Sequence, residues 1–191
     1  MLLSLLPLHV VAAVSTAAAP PVEVTLYDAN HRETYVVSIG RDGSIDDETQ
    51  EVLEHAFRCR RSEREHKIDK GLLAMIADVA DHFDGATIEY ISAYRGHRKE
   101  RKTSPHLAGR AFDFRVQGVK LTEVRDYAWT KFHETGVGWY PGEEFVHMDH
   151  RPGEKDIAWT EKGGRNHYHP SWSKRVRAKA ATRAREDRTG L

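Results

Sequence analysis

Residues 104–113 of the 191-residue chain read SPHLAGRAFD, a loop that leads into a predicted strand. Gly109 allows the backbone to bend from a loop into a strand that begins two residues later. Side chains alternate along a strand, so Asp113 lies on one face while Phe112 and Phe114 point to the other. The stretch therefore predicts a strand with two phenylalanines on one side and a single carboxylate on the opposite side.

A second strand is predicted at residues 144–149, which read EFVHMD. Alternation places His147 and Asp149 on one face and the intervening apolar residues on the other. If this strand lies beside the first one, His147 faces Asp113 across the sheet, and His106 arrives from the preceding loop. Two imidazoles and one carboxylate form the ligand set of a catalytic zinc ion that keeps a fourth position for water.

Each of these polar residues also has a purely structural interpretation. Asp113 could form an ion pair with the neighbouring Arg110 or Arg115, and His147 could be a hydrogen-bonded histidine of the core. Taken together, the residues favour a metal site. Three ligand-type residues would rarely fall by chance at positions that strand alternation and the preceding loop bring to the same face.

Further elements are predicted on both sides of these strands. Residues 22–27 and 34–39 are rich in β-branched residues and predict a hairpin. Asp69 precedes apolar residues at helical spacing, as a helix N-cap does, and another helix is predicted over residues 121–133. Short strands are predicted at 87–92, 136–139 and 157–160. These elements predict a single α+β domain over residues 22–160, with a small, mainly antiparallel sheet flanked by helices and the zinc site at the sheet.

Composition limits the classes of protein to which the chain can belong. The 29 Lys and Arg residues balance 29 Asp and Glu residues, which argues against a protein that binds polyanions over its whole surface. Cys59 is the single cysteine, so a disulfide framework and a cysteine-rich zinc site are excluded. The 12 histidines and the carboxylates remain as sources of metal ligands.

Residues 1–19 carry no charged side chain, and residues 2–14 are almost wholly apolar. A short apolar stretch followed by small residues is typical of a signal peptide, because a membrane-spanning helix needs about 20 apolar residues. The pattern predicts a signal peptide at 1–19, cleaved one or two residues before its end; an uncleaved anchor is the alternative. We therefore expect export to the periplasm or cell envelope, with no stable membrane span after processing.

From Glu161 onward the chain has nine basic and three acidic side chains, a net charge of +6, and few apolar residues. Residues 161–191 are predicted to be a basic tail, either disordered or a surface helix. Such a tail could hold the protein on anionic envelope polymers. Nucleic-acid binding through the tail and residues 166–169 is the weaker interpretation, since an exported protein rarely meets DNA, and we predict no nucleic-acid partner.

The motif Ser104-x-His106-x-x-Gly109-x-Ala111-x-Asp113, followed by a Phe-Val-His-x-Asp strand, resembles the zinc D-Ala-D-Ala peptidase superfamily. Within it, the chain is most similar to the murein endopeptidase K branch, over residues 22–160. The resemblance implies a Zn²⁺-dependent metallopeptidase that hydrolyses amide bonds in peptidoglycan stem peptides or cross-links, with peptidoglycan as its partner.

The resemblance also implies ligands and substrate contacts. His106, Asp113 and His147 would be the zinc ligands. Arg95 lies at the family's Ser-x-Tyr-Arg position, where its guanidinium would pair with a substrate carboxylate, and Ser104 would contact the substrate as well. A salt bridge between Arg95 and a nearby acid is the alternative.

The general base is less well defined by the motifs. Glu144, three residues before His147, occupies the superfamily's position for this base, but strict alternation turns it away, so the role requires a bulge. Asp149 shares the face of His147 and is the alternative base or a partner that orients the ligand. A non-catalytic, zinc-containing peptidoglycan-binding module of the same fold is the alternative function, and the presence of both acids argues against it.

Overall fold

Eight strands and four helices make up residues 19–189, the part of the chain that the computed structural model describes. The signal peptide predicted for residues 1–19 lies outside this part except for its last residue. In chain order the elements are β1 (Val22–Asp28), β2 (Glu33–Ile39), α1 (Asp47–Ala56), α2 (Lys70–His82), β3 (Ile88–Ser92), β4 (Ala111–Val116), α3 (Leu121–Lys131), β5 (Thr135–Tyr140), β6 (Phe145–His150), β7 (Ile157–Lys162), β8 (Arg165–Tyr168) and α4 (Ser171–Thr189).

The eight strands of the described residues form one sheet, in the order β2-β1-β3-β4-β6-β5-β7-β8. β1 pairs with β3, and β5 pairs with β7, in parallel; the five other neighbouring pairs are antiparallel. The prediction of an α+β fold with a mainly antiparallel sheet is therefore confirmed. β4 and β6 lie in the middle of the sheet with both edges paired, so their backbones have little freedom to move.

One face of these two central strands builds the hydrophobic core. Phe112 and Phe114 of β4 and Val146 and Met148 of β6 are fully buried there. The helix α2 packs against β6, and α3 packs against both central strands. Burying each such side chain contributes about 1.5–3 kcal/mol, which fixes the strand phase and turns the intervening polar residues to the opposite face.

The helix α2 begins where the sequence predicts. The side chain of Asp69 accepts a hydrogen bond of 3.1 Å from the backbone N–H of Leu72, which satisfies one of the free donors of the first turn. The residues at helical spacing that follow are buried against the sheet: Leu72, Leu73, Ile76, Val79 and Ala80. Such a cap stabilises a helix by about 1 kcal/mol.

The sheet continues past residue 160, where the sequence analysis placed the end of the domain. β7 runs to Lys162, and residues 165–168 add β8 at the sheet edge, followed by α4. All four side chains of β8 are exposed, so the sequence has no alternation of apolar and polar residues that would predict this strand. Trp172 anchors α4: it is buried, and its indole N–H donates to Thr160 Oγ1 over 2.9 Å. Among residues 19–189, no helix has the length and apolar character needed to cross a membrane.

Candidate metal centre

Three polar side chains converge on the face of β4 and β6 that points away from the core. Asp113 lies directly opposite His147 in the antiparallel register, as predicted, and His106 enters from the loop before β4. One donor atom from each residue lies within 4.8 Å of the others. All three residues are at most 5% exposed, so their donor atoms compete little with bulk water.

The outer nitrogen of each imidazole is already engaged. His106 Nδ1 lies 2.6 Å from the carbonyl oxygen of Ala93, which can only accept a hydrogen bond, so this nitrogen carries a proton. His147 Nε2 lies 2.8 Å from the carboxylate of Asp149 and donates to it in the same way. In the neutral tautomers, the inner nitrogens therefore present lone pairs to the space between the two rings.

With both rings neutral, these inner atoms are all hydrogen-bond acceptors. His106 Nε2 and His147 Nδ1 are 3.2 Å apart, and Asp113 Oδ1 lies 2.7 Å from His147 Nδ1. Two lone pairs and a carboxylate at these distances repel one another unless a proton or a metal ion lies between them. Imidazole nitrogen and carboxylate oxygen are ligands that Zn²⁺ favours, so the residues present fit a zinc ion.

Burial and the facing charges act in opposite directions on the ionisable groups of the centre. Burial would raise the pKa of Asp113, but the two histidines lower that pKa well below its usual range. Burial also lowers the pKa of His147, but the hydrogen bonds and charges of Asp113 and Asp149 outweigh it and raise the pKa to about 9. Two carboxylates thus favour a positive charge at the centre, which either a proton or a metal ion can supply.

Arg95 and Ser104 both lie beside the centre. The guanidinium of Arg95 donates from Nη2 to Asp113 Oδ2 and from Nε to Ser92 Oγ, the latter over 2.9 Å. Its side chain keeps 33% of its surface exposed, so it faces the solvent-filled cleft as well as the centre. Ser104 is half-buried and lines the cavity above the centre.

The two predicted candidates for the general base occupy different positions. Asp149 is fully buried; one of its oxygens accepts from His147, and both accept from Arg151 at 2.5 and 3.1 Å. Glu144 lies in the turn before β6 with a positive φ of 57°, and its side chain is exposed. The structure therefore brings Asp149 to the ligands as a hydrogen-bond partner and leaves Glu144 outside the cluster.

Two cavities open next to the centre. One, of about 300 Å³, is bordered by His106, Asp113 and His147 and has an aromatic wall. That wall consists of Tyr140, Phe145, Trp159 and Tyr168. The other, of about 440 Å³, lies on the far side of Arg95 and Asp113, and the turn after α1 contributes Arg60 and Arg61 to it.

Sequence reasoning missed several contributors to these cavities, among them Tyr168 and Glu100. Tyr168 belongs to β8, within the segment that the sequence predicts to be a tail. It lines the cavity because β8 pairs with β7 in the folded chain, which the sequence pattern does not indicate. Glu100 lies in the charged loop 96–103 and lines both cavities. Its neighbours Lys99, Arg101 and Lys102 make the loop resemble a solvated surface, so no local signal distinguished this one carboxylate.

Comparison with known proteins gives a consistent assignment. The family described as peptidoglycan L,D-endopeptidase MepK matches residues 16–155. The probable peptidoglycan L,D-endopeptidase MepK of Haemophilus influenzae is 30% identical over 162 residues, which cover 78% of this chain and 86% of the relative. The peptidoglycan L,D-endopeptidase MepK of Escherichia coli K12 is 32% identical over 111 residues, 52% of this chain and 60% of the relative.

No solved structure matches the chain significantly. The assignment therefore depends on the sequence relatives, and the match to the family description includes all three residues of the candidate centre. The chain belongs to the family of the peptidoglycan L,D-endopeptidase MepK, the branch of the D-Ala-D-Ala peptidase superfamily that its motifs predicted.

Proposed function

We propose that the protein is a zinc-dependent peptidoglycan peptidase that hydrolyses amide bonds in stem peptides or cross-links. The observation that supports this most strongly is the convergence of the lone pairs of His106, His147 and Asp113 on the wall of an open cavity. The names of the relatives add the substrate class, because both refer to peptidoglycan endopeptidases.

His106 Nε2, His147 Nδ1 and an oxygen of Asp113 would hold the zinc ion. When bound, the ion would polarise the scissile carbonyl and lower the pKa of a water molecule beside it. Asp149 keeps His147 in the tautomer that exposes Nδ1, and the carbonyl of Ala93 does the same for His106. These two bonds also fix the ring orientations, so the ligands need little rearrangement when the ion binds.

The remaining groups of the cleft position the peptide. Arg95 is held by Ser92 and Asp113, and the exposed part of its guanidinium suits a carboxylate of the substrate. Ser104 lines the same cavity and can donate a hydrogen bond from its hydroxyl. The aromatic wall formed by Tyr140, Trp159 and their neighbours supplies apolar surface for the aliphatic parts of a stem peptide and limits the access of water.

A digestion of purified cell-wall sacculi tests the proposal. We expect the protein to release muropeptides, to lose this activity with a chelator and to regain it when Zn²⁺ is added back. His106→Ala and Asp113→Ala should abolish both zinc binding and release while the circular dichroism spectrum stays native. A protein that binds zinc and sacculi but releases no muropeptides would instead be the non-catalytic module.

We propose the same compartment as the sequence predicts, the periplasm or cell envelope, because the substrate is found there. We also propose that α4 binds an anionic envelope polymer. Between residues 171 and 189 the helix has seven basic and two acidic side chains, and all side chains from residue 178 to 189 are exposed. Electrostatic attraction of this kind is long-ranged and independent of the cleft.

A further inference from the structure

Hydrolysis of an amide requires a group that takes a proton from the attacking water and passes it to the leaving amine. Among residues 19–189, three carboxylates border the cavity above the candidate centre: Asp113, Asp149 and Glu100. The base is expected within this set, because a general base has to lie within hydrogen-bonding reach of the water, directly or through one further water molecule.

Two of the three carboxylates are committed to other bonds. Asp113 belongs to the centre itself and also accepts from Arg95. Asp149 is fully buried, and its two oxygens accept from His147 and Arg151, which leaves it little capacity to take up a proton during the reaction.

Glu100 is the carboxylate of this cavity that remains, and Glu143 borders only the second cavity. The side chain of Glu100 is only 13% exposed although it belongs to a surface loop, and the nearest basic group is His97, whose Nε2 lies 3.7 Å from Oε2. It borders both cavities, as Arg95 and Asp113 do, so it stands where the two cavities meet beside the centre. Glu100 is therefore a weakly paired carboxylate on the wall of the cavity that would receive the substrate.

We infer that Glu100 is the general base of the hydrolysis, in place of Glu144; this inference rests on the proposed function. The carboxylate of Glu100 takes one proton from water as the water oxygen bonds to the amide carbonyl carbon. The C–N bond then breaks, and Glu100 returns the proton to the leaving nitrogen. The second proton of the water also ends on the leaving nitrogen, so the products are a carboxylate and an ammonium group, and no other reactant is needed.

The test compares Glu100→Gln, Glu100→Asp and Glu144→Gln in the full-length protein, with a purified cross-linked muropeptide as substrate. We expect Glu100→Gln to lower kcat by about 10²–10⁴-fold with KM changed only a few-fold. The acidic limb of the pH profile should disappear in this variant. Glu100→Asp should recover part of the rate, because it restores a carboxylate on a shorter side chain.

Two measurements without turnover separate this role from a ligand role or a structural role. Isothermal titration should give the same zinc affinity for Glu100→Gln and for wild type, and the same muropeptide affinity in the zinc-free forms, in which no turnover is expected. Glu51→Gln, an exposed glutamate on α1, is the matched control and should leave all values unchanged.

The outcomes are distinct from those of the proposed function. Wild-type protein that releases no muropeptide refutes the proposed function and the inference with it. Active wild type together with an active Glu100→Gln overturns the inference alone. So does a loss of zinc binding in Glu100→Gln, or a larger loss of kcat in Glu144→Gln than in Glu100→Gln.

Discussion

His147 is the residue on which the centre depends most, because both of its ring nitrogens have an assigned partner. Nδ1 faces Asp113 and the inner space, and Nε2 is bonded to Asp149. Asp149 in turn is held by Arg151. The orientation of the His147 ring is therefore set by Asp149, which is held in turn by Arg151, and all three residues lie in β6 or directly after it.

Asp149→Asn should weaken zinc binding by about 10–100-fold, because an amide holds the His147 tautomer less firmly than a carboxylate does. A competition titration with a chromophoric chelator measures the affinity. Asp156→Asn is the matched control, since Asp156 also accepts from an arginine, Arg177, but does not contact the centre. Equal zinc affinity in the Asp149→Asn variant and wild type would show that Asp149 does not position the ligand.

At the scale of elements, the glycines of β5 determine how closely this strand approaches the site. A Cβ added to Gly136 would collide with the Asp149 carboxylate, and one added to Gly138 would lie 2.5 Å from the ring of Trp159. β5 is hydrogen-bonded to both β6 and β7, so it cannot move aside. Both positions therefore lack room for a side chain larger than that of glycine.

Gly136→Ala should therefore displace the Asp149 carboxylate from His147 and lower both stability and zinc affinity. Overpacking of this kind costs about 1–3 kcal/mol, measurable by urea unfolding. Gly142→Ala, in the turn between β5 and β6, is the control, because a Cβ there meets nothing within 4 Å. A Gly136→Ala protein as stable as the Gly142→Ala protein would contradict the packing argument.

A second network at the element scale joins β1, β3 and α1. Asp28 is 2% exposed; its Oδ1 accepts from the backbone N–H groups of Asn30 and His31, and the Tyr90 hydroxyl lies 3.0 Å from its Oδ2. The same hydroxyl lies 2.7 Å from the carbonyl oxygen of Ala56 in α1. Burial would raise the pKa of Asp28, but the bonds from His31 and its neighbours lower it.

A lowered pKa in the folded state means that Asp28 stabilises the fold above its unfolded pKa of about 3.9, and that this contribution is lost as the pH falls through the lower folded value. Asp28→Asn should cost about 1–3 kcal/mol at pH 7, because it leaves buried donors poorly paired. The difference from wild type should narrow below about pH 4. Urea unfolding of both proteins at pH 7 and pH 3 measures this difference in the free energy of unfolding. A difference that is the same at both pH values would show that the ionised carboxylate of Asp28 is not its cause.

The elements that the sequence predicted are those with a strong periodicity. Alternation in residues 111–116 and 145–150 gave the pairing of Asp113 with His147 correctly, because one face of each strand is apolar. The same reasoning could not find β8, whose side chains are all exposed, or the place of Glu100 in an irregular loop. The catalytic and binding roles of the site residues remain predictions, because the positions of the side chains do not by themselves show which reaction they carry out.

Across the molecule, the sheet separates the candidate centre from the basic helix α4. The candidate centre lies on one face of the sheet, and α3 packs on the other face. Two contacts hold α4 against α3: Trp172 packs against Trp129, and the guanidinium of Arg177 lies 3.6 Å from the centre of the Trp129 ring. These contacts involve only the first two turns of α4. The rest of the helix has exposed side chains, many of them basic, and none of its residues lines the two cavities beside the centre.

This separation predicts that attachment and hydrolysis can be changed independently. Replacing Lys179, Arg183, Arg185 and Arg188 by Gln removes four positive charges without touching Trp172 or Arg177. At about 1 kcal/mol for each basic residue near an anionic surface, binding to sacculi at low salt should weaken at least about tenfold. Hydrolysis of a soluble muropeptide should stay at the wild-type rate, because the substituted residues do not line the cleft.

A co-sedimentation assay with sacculi at 20, 100 and 300 mM salt measures this binding, and exchanging Lys for Arg and Arg for Lys at the same four positions is the matched control. The exchanged protein keeps every charge, so it should bind as wild type does, and both should lose binding as salt screens the attraction. The Gln variant should show a weaker dependence on salt. If it sediments with sacculi as wild type does at every salt concentration, then α4 is a solvated extension and attachment depends on the cleft alone.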